Sequence, residues 1–101
     1  MYITNVVLNE DWVKLEDLIA ENVENFTFSA GNTYFLQTDA NDAKIRLAEV
    51  SSDTELSKAD GLVLRAGQTA EYIKASAYAL YARKDDPLNA TARILISQKE
   101  A

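Results

Sequence analysis

The chain has no cysteine and no histidine, and only one proline and three glycines in 101 residues. Without cysteine there can be no disulfide, thiolate nucleophile, zinc–thiolate site or iron–sulfur site. Without histidine the commonest general base and the commonest transition-metal ligand are missing. The lack of cysteine leaves the redox compartment open, because such a chain tolerates either setting. Long apolar runs are also lacking: none approaches the roughly 20 residues that span a bilayer as a helix. Met1-Tyr-Ile-Thr-Asn5 carries neither the basic nor the apolar region of a cleaved secretory signal, so a soluble chain made in the cytoplasm is expected. Positive charge is scarce and scattered. Ten Lys+Arg stand against sixteen Asp+Glu, a net charge of −6. The arginines lie apart at Arg46, Arg65, Arg83 and Arg93, and the one adjoining basic pair, Arg83-Lys84, runs straight into Asp85-Asp86. An acidic chain with no basic patch repels phosphate backbones, so neither nucleic acid nor membrane is an expected partner.

What is present is apolar content, 48% of the residues. At this length folding buries roughly two-thirds of the unfolded surface, enough for one core without staples. No Pro-, Gly- or Ser-rich linker and no internal repeat interrupts the chain, which reads as a single domain over residues 1–101. From Phe26 onward apolar residues recur at short spacings with turn signals between them, the pattern of an all-β domain. Strands are expected at Phe26–Phe28, Thr33–Thr38, Lys44–Val50, around Leu62–Arg65, Thr69–Lys74, Tyr78–Arg83 and Thr91–Ser97. Turns are expected at Ser29–Asn32, Asp39–Asp42, Ala66–Gln68 and around Pro87, in Asp85-Asp-Pro-Leu-Asn89. The polar stretch Ser51–Gly61 reads as a loop over one end of a sandwich. Gly31, Gly61 and Gly67 all fall at expected turns, where positive φ is needed. The first quarter has two readings. Trp12, Leu15, Leu18 and Ile19 fit a helix over Asn9–Asn22 with Asn9 as N-cap; Trp12-Val-Lys-Leu15 also fits a strand followed by one helical turn. Strands spaced by 8 to 12 residues indicate a β-sandwich or small barrel.

Strand parity then sorts residues between the two faces. Ile45, Leu47, Leu62, Leu64, Ala92, Ile94 and Ile96 are expected inside. That leaves Val63 and Leu95 outside beside Arg65 and Arg93, Val50 on the face of Arg46, and Ile73 opposite Tyr72. Several apolar residues on outer faces, together with five tyrosines, point to a surface that meets another protein. Val50, Val63, Arg65, Ile73, Tyr81, Arg93 and Leu95 are the candidate interface residues. The alternative is that bulges shift register and return these side chains to the interior.

Candidate chemistry is thin. Asp39-x-Asn41-Asp42 opens like a calcium loop, but its sixth position is Lys44 rather than glycine and its twelfth is Val50 rather than glutamate. It reads as a turn, as does Asp85-Asp86. Asp53, Glu55 and Asp60 share one loop without the sugar cleft that paired carboxylates serve in glycoside hydrolysis. Trp12, Tyr34, Tyr72, Tyr78 and Tyr81 would suit a stacking face for sugars, or simply fill a core. Ser29-Ala-Gly31 is no nucleophile elbow, and the lone Gly67 turn is no phosphate cradle. No enzyme activity, cofactor or metal is expected.

Taken in order, Trp12-Val-Lys-Leu15, Phe26-Thr-Phe28, Gly31-Asn-Thr-Tyr-Phe-Leu-Gln37, Gly61-Leu-Val-Leu64, Leu80-Tyr-Ala-Arg83 and Ala92-Arg-Ile-Leu-Ile-Ser97 resemble small bacteriophage virion proteins. In those a tryptophan strand, a G-x-x-Y-x-(I/L)-Q strand, a G-(x)-x-L-x-x-G strand and an L-Y-(V/A)-R strand follow one another. The chain departs from the pattern at Lys84-Asp-Asp-Pro87, where a short Ser/Gly-rich turn is usual. The resemblance implies a compact jelly-roll-like antiparallel β-sandwich, and it favours the strand reading of Trp12–Leu15. It also implies a protein that coats, cements or plugs a head, neck or tail in many copies, with no catalytic residues to carry over. Its expected partners are copies of itself and the major capsid, portal or tail proteins, within a virion assembled after synthesis in the host cytoplasm. The rival expectation is a receptor- or carbohydrate-binding β-sandwich module.

Overall fold

The structure, a computed structural model, describes residues 1–51, 54–86 and 91–99. Its elements run β1 (Tyr2–Leu8), β2 (Val13–Lys14), α1 (Leu15–Ala20), β3 (Thr33–Thr38), β4 (Ile45–Val50), β5 (Leu62–Leu64), β6 (Thr69–Ile73), β7 (Ala79–Lys84) and β8 (Ala92–Gln98). They form two four-stranded antiparallel sheets, ordered β1-β8-β3-β6 and β2-β7-β4-β5. The all-β sandwich expected from the sequence is the observed fold. Its pairings are nested: β1 with β8, β2 with β7, β3 with β6 and β4 with β5. The chain is thus one long hairpin with its tip between β4 and β5, and successive rungs fall alternately in the two sheets. Contacts β3–β8 and β4–β7 then complete each sheet.

Period-two alternation explains which side chains meet between the sheets. Val6, Leu8, Ala92, Ile94, Ile96, Tyr34, Leu36 and Tyr72 line one inner face, opposed by Ile45, Leu47, Leu64, Leu80 and Ala82 of the other. Ile45, Ile94 and Ile96 are fully buried, each worth about 2–3 kcal/mol of transfer free energy. Tyr34 and Tyr72 pair across β3 and β6, and Phe28 packs edge-on to both rings at 4.7 and 5.3 Å.

The shorter of the two N-terminal readings holds. Val13 and Lys14 pair with Ala82 and Tyr81 of β7, and only one and a half turns of helix follow. Asn9 caps nothing helical; its side-chain carbonyl accepts the Asp11 amide at 2.9 Å, while Lys14 occupies the N-cap. Glu16 and Asp17 in the first turn suit the helix dipole. Leu15 and Ile19, four residues apart on one helical face, are both fully buried. The helix packs on β1, β2 and β7 and so closes that side of the sandwich.

Three expectations need correction. β1 went unanticipated: Tyr2-Ile-Thr-Asn-Val-Val-Leu8 pairs with β8, but a register shift between Tyr2 and Thr4 interrupts its alternation. Phe26–Phe28 is not a strand; its alternation serves an aromatic cluster in which the two phenylalanine rings meet edge-on at 5.0 Å. Leu62, expected in the core, is 64% exposed. It has inward parity opposite Leu47, but it lies on the short edge strand β5, beyond which the sandwich is open.

Candidate functional site

The outer face of the β1-β8-β3-β6 sheet carries an apolar stripe that the register makes visible. Val7 lies opposite Arg93, Leu95 opposite Gln37, and Phe35 opposite Glu71, with Ile73 two residues further along β6. Val7, Leu95, Phe35 and Ile73 are therefore successive diagonal neighbours, one from each strand, at roughly 7–8 Å steps. Val7 and Ile73 are each 58% exposed, and Leu95 and Phe35 are half-buried. Polar residues flank the stripe on both sides, Arg93, Gln37 and Glu71 along one and Asn5, Ser97 and Thr33 along the other. An apolar centre with a polar rim is the anatomy of a protein-binding face.

Arg93 is bonded to Asp42 at one corner of that face. Its backbone N–H and Nε donate to Asp42 Oδ2 at 2.9 and 3.0 Å, and Nη2 donates to Oδ1 at 3.1 Å. The forked bond holds the Asp42 carboxyl below its ordinary pKa, chiefly through the Arg93 side chain and against the opposing effect of burial. Because the folded pKa is depressed, this stabilisation is complete above the ordinary carboxylate range and is lost as pH falls through the lowered value. Asp42→Asn is therefore expected to reduce the loss of stability on acidification. Urea midpoints measured from neutral pH down to about pH 2.5 check this; parallel profiles for the two proteins would contradict it.

The other sheet presents a different outer face, covered in part by the chain itself. The 54–61 segment lies across it, fastened by Trp12 Nε1 to the Ser57 carbonyl at 2.9 Å, Arg83 Nη2 to the Lys58 carbonyl at 2.5 Å and Arg46 Nη1 to the Ala59 carbonyl at 3.0 Å. The Arg83 guanidinium stands 5.7 Å from the centre of the Trp12 ring, a cation–π contact. Asp85 lies between the two arginines, 3.0 Å from Arg46 and 2.8 Å from Arg83. Ala48, though on the outward side, is buried.

The candidate interface residues thus divide between two surfaces. Leu95, Ile73 and Arg93 share the open face with Val7 and Phe35, two residues that sequence reasoning missed. Val7 was missed because β1 was missed; Phe35 had the right parity and needed only its β8 partner to be known. Val63, Tyr81 and Val50 lie on the partly covered face, opposite Arg46, Ala48 and Ala79 respectively, and are half-buried. Arg65 sits past the end of β5, where its amide donates to the Gln68 side chain and its carbonyl accepts the Thr38 hydroxyl.

The remaining candidates scatter. In the Asp39–Asp42 turn, Asp39 accepts the Asn41 amide at 2.9 Å and Asp42 is engaged by Arg93. Asp60 accepts the Ser57 amide, and Asp53 and Pro87–Asn89 lie outside the described residues. Among the described residues no three acidic, cysteine or histidine side chains gather as metal ligands. Tyr34 and Tyr72 are buried, Tyr78 is exposed, and Trp12 and Tyr81 are half-buried, so these rings share no single stacking face. Among the described residues no helix is long and apolar enough to cross a membrane. Comparisons with protein-family models, curated protein sequences and solved structures give no match.

Proposed function

We propose that this chain is a non-catalytic structural protein of a bacteriophage particle, a decoration, cement or neck/tail component that acts in many copies through its outer β1-β8-β3-β6 face. The Val7–Leu95–Phe35–Ile73 stripe carries the reading, because it is a contiguous apolar band with a polar border across all four strands of one sheet. The nested pairing of the eight strands supports it further: we read this wrapping as a jelly roll, the arrangement that many capsid domains use. The sequence resemblance points the same way. Repetition on a symmetric particle multiplies a modest interface, so each copy needs only moderate affinity. Its neighbours would be copies of itself and the capsid, portal or tail chains that it covers.

The test pairs solution and particle measurements. Val7→Asp with Ile73→Asp changes two exposed side chains and should leave the melting curve close to wild type. Incorporation into particles, followed by negative-stain microscopy and quantitative gel analysis, should fall about tenfold or more if the stripe lies at the centre of the contact. Particles that form without the protein and prove equally stable would count against the reading.

A further inference from the structure

α1 closes the side of the sandwich where β1 and β2 lie, but among the described residues no helix covers the opposite side. There β6 ends one sheet and β5 ends the other, and among the described residues no strand pairs with the outer edge of β6. The bonding pattern fixes which groups that edge offers. The Thr38 amide donates to the Gln68 carbonyl, and the Lys74 amide to the Asn32 carbonyl. Narrow pairs alternate along an antiparallel ladder, so Ala70 and Tyr72 bond inward to Leu36 and Tyr34. The amides and carbonyls of Thr69, Glu71 and Ile73 therefore face outward, a ready template for another strand.

Below this edge lies a groove of about 200 Å³ between the sheets, lined by Leu47, Leu62, Leu80 and Tyr72, with Glu49 and Glu71 at its rim. Two features suit it to a basic, partly aliphatic occupant. Glu49 projects inward from β4 opposite Leu80, and it is an exposed carboxylate on an apolar wall. Tyr72 is 7% exposed, and its buried hydroxyl faces the Glu49 carboxylate without a well-aligned hydrogen bond to it. A carboxylate and a phenol oxygen side by side on an apolar groove suit a forked donor that can reach both.

We propose that the β6 edge and this groove form a docking site for an extended, arginine-bearing segment of a partner protein, which adds to β6 as a fifth strand. A strand residue placed opposite Tyr72 shares its inward face, so its side chain enters the groove. An arginine there lays its methylene stem on Leu47, Leu62 and Leu80 and presents its fork to Glu49 and the Tyr72 oxygen. The chain's charge of −6 favours a basic partner over a second copy. A two-fold pairing of β6 with β6 centred on Glu71 would also set two carboxylates opposite each other, which is unfavourable.

The probe is a short capped peptide of alternating threonine and arginine, titrated into the full chain and followed by amide NMR and hydrogen exchange. Saturable binding should slow exchange at the Thr69, Glu71 and Ile73 amides. Glu49→Gln should weaken it about tenfold, the loss of one charge-assisted contact. Glu71→Pro removes an outward N–H without breaking the β3–β6 ladder, and should abolish both binding and protection. Val7→Asp, on the separate outer face, should bind as wild type does, so this site stands or falls apart from the assembly reading. The proposal is overturned if the β6 amides are unprotected at saturation, or if a glutamate-bearing peptide binds equally. It is equally overturned if Glu49→Gln changes nothing, or if β6 is already protected in a dimer without peptide.

Discussion

Asp85→Asn should cost about 3 kcal/mol and lower the melting temperature by about 15 °C, with little change in side-chain volume. Arg46 and Arg83 are direct cross-strand partners on β4 and β7, a placement that sets like charges face to face. Neither is well solvated, with side chains 22% and 7% exposed. Asp85 resolves the conflict by standing between them. Arg83 also donates to the carbonyls of Glu10, Lys58 and its neighbour Lys84, so one guanidinium ties two other segments to the outer face of the sheet. Removing the carboxylate charge leaves both cations and their desolvation in place. Urea unfolding monitored by circular dichroism measures the effect, and a loss below about 1 kcal/mol would mean that water already screens the pair as it does surface ion pairs. Arg83→Lys should also destabilise the protein, because a single ammonium cannot span these partners in a fork.

How much of this was legible in the sequence follows from the kind of information each feature uses. β3 spans Thr33–Thr38 as the alternation predicts, and β4, β6, β7 and β8 begin and end within about one residue of their expected limits. Those strands keep an alternating set of apolar residues on the inner side, broken at Glu49 of β4, so local pattern carries them. In Tyr2–Leu8 a register shift between Tyr2 and Thr4 interrupts the alternation, and the apolar residues Val6, Val7 and Leu8 run together. Val7 is outward-facing and apolar because it belongs to the stripe, and this blurred the period-two signal. Phe26–Phe28 errs in the opposite sense: its alternation comes from packing around Tyr34 and Tyr72, with no ladder to join.

The candidate surfaces were less legible, because they depend on which strands are neighbours. Parity placed Leu95 and Ile73 outward but could not place them on one face, since β8 and β6 meet only through β3. Val63 and Tyr81 had the same signature and lie on the other sheet. The loop that half-covers them is polar in sequence, and its hold on Trp12, Arg46 and Arg83 runs through backbone carbonyls, which any residue supplies. Arg83, which in sequence is only one half of the Arg83-Lys84 pair, is buried.

The covering loop also explains why one glycine should tolerate no replacement. Gly61→Ala is expected to cost about 4 kcal/mol, the sum of positive-φ strain and a steric clash with little room to relax. Gly61 has φ +90°, and a Cβ there would stand 2.6 Å from the Leu47 carbonyl oxygen and 3.1 Å from the Trp12 ring. The oxygen belongs to β4 backbone between two sheet partners, so it cannot yield; the loop must lift instead. Lifting would break the Trp12–Ser57 and Arg46–Ala59 bonds together, because both anchor the same few residues. Trp12 is the only tryptophan, so its fluorescence reports the event directly, shifting to the red in the folded variant as the ring meets water. Gly31→Ala supplies the control. Gly31 has φ +84° with nothing within 4 Å of an added Cβ, so it bears the conformational strain alone, about 1 kcal/mol. The difference between the two variants measures how tightly the loop is pressed onto the sheet. Equal losses, with unchanged fluorescence, would mean that the loop is free to give way and that the outer face beneath it is open to a partner.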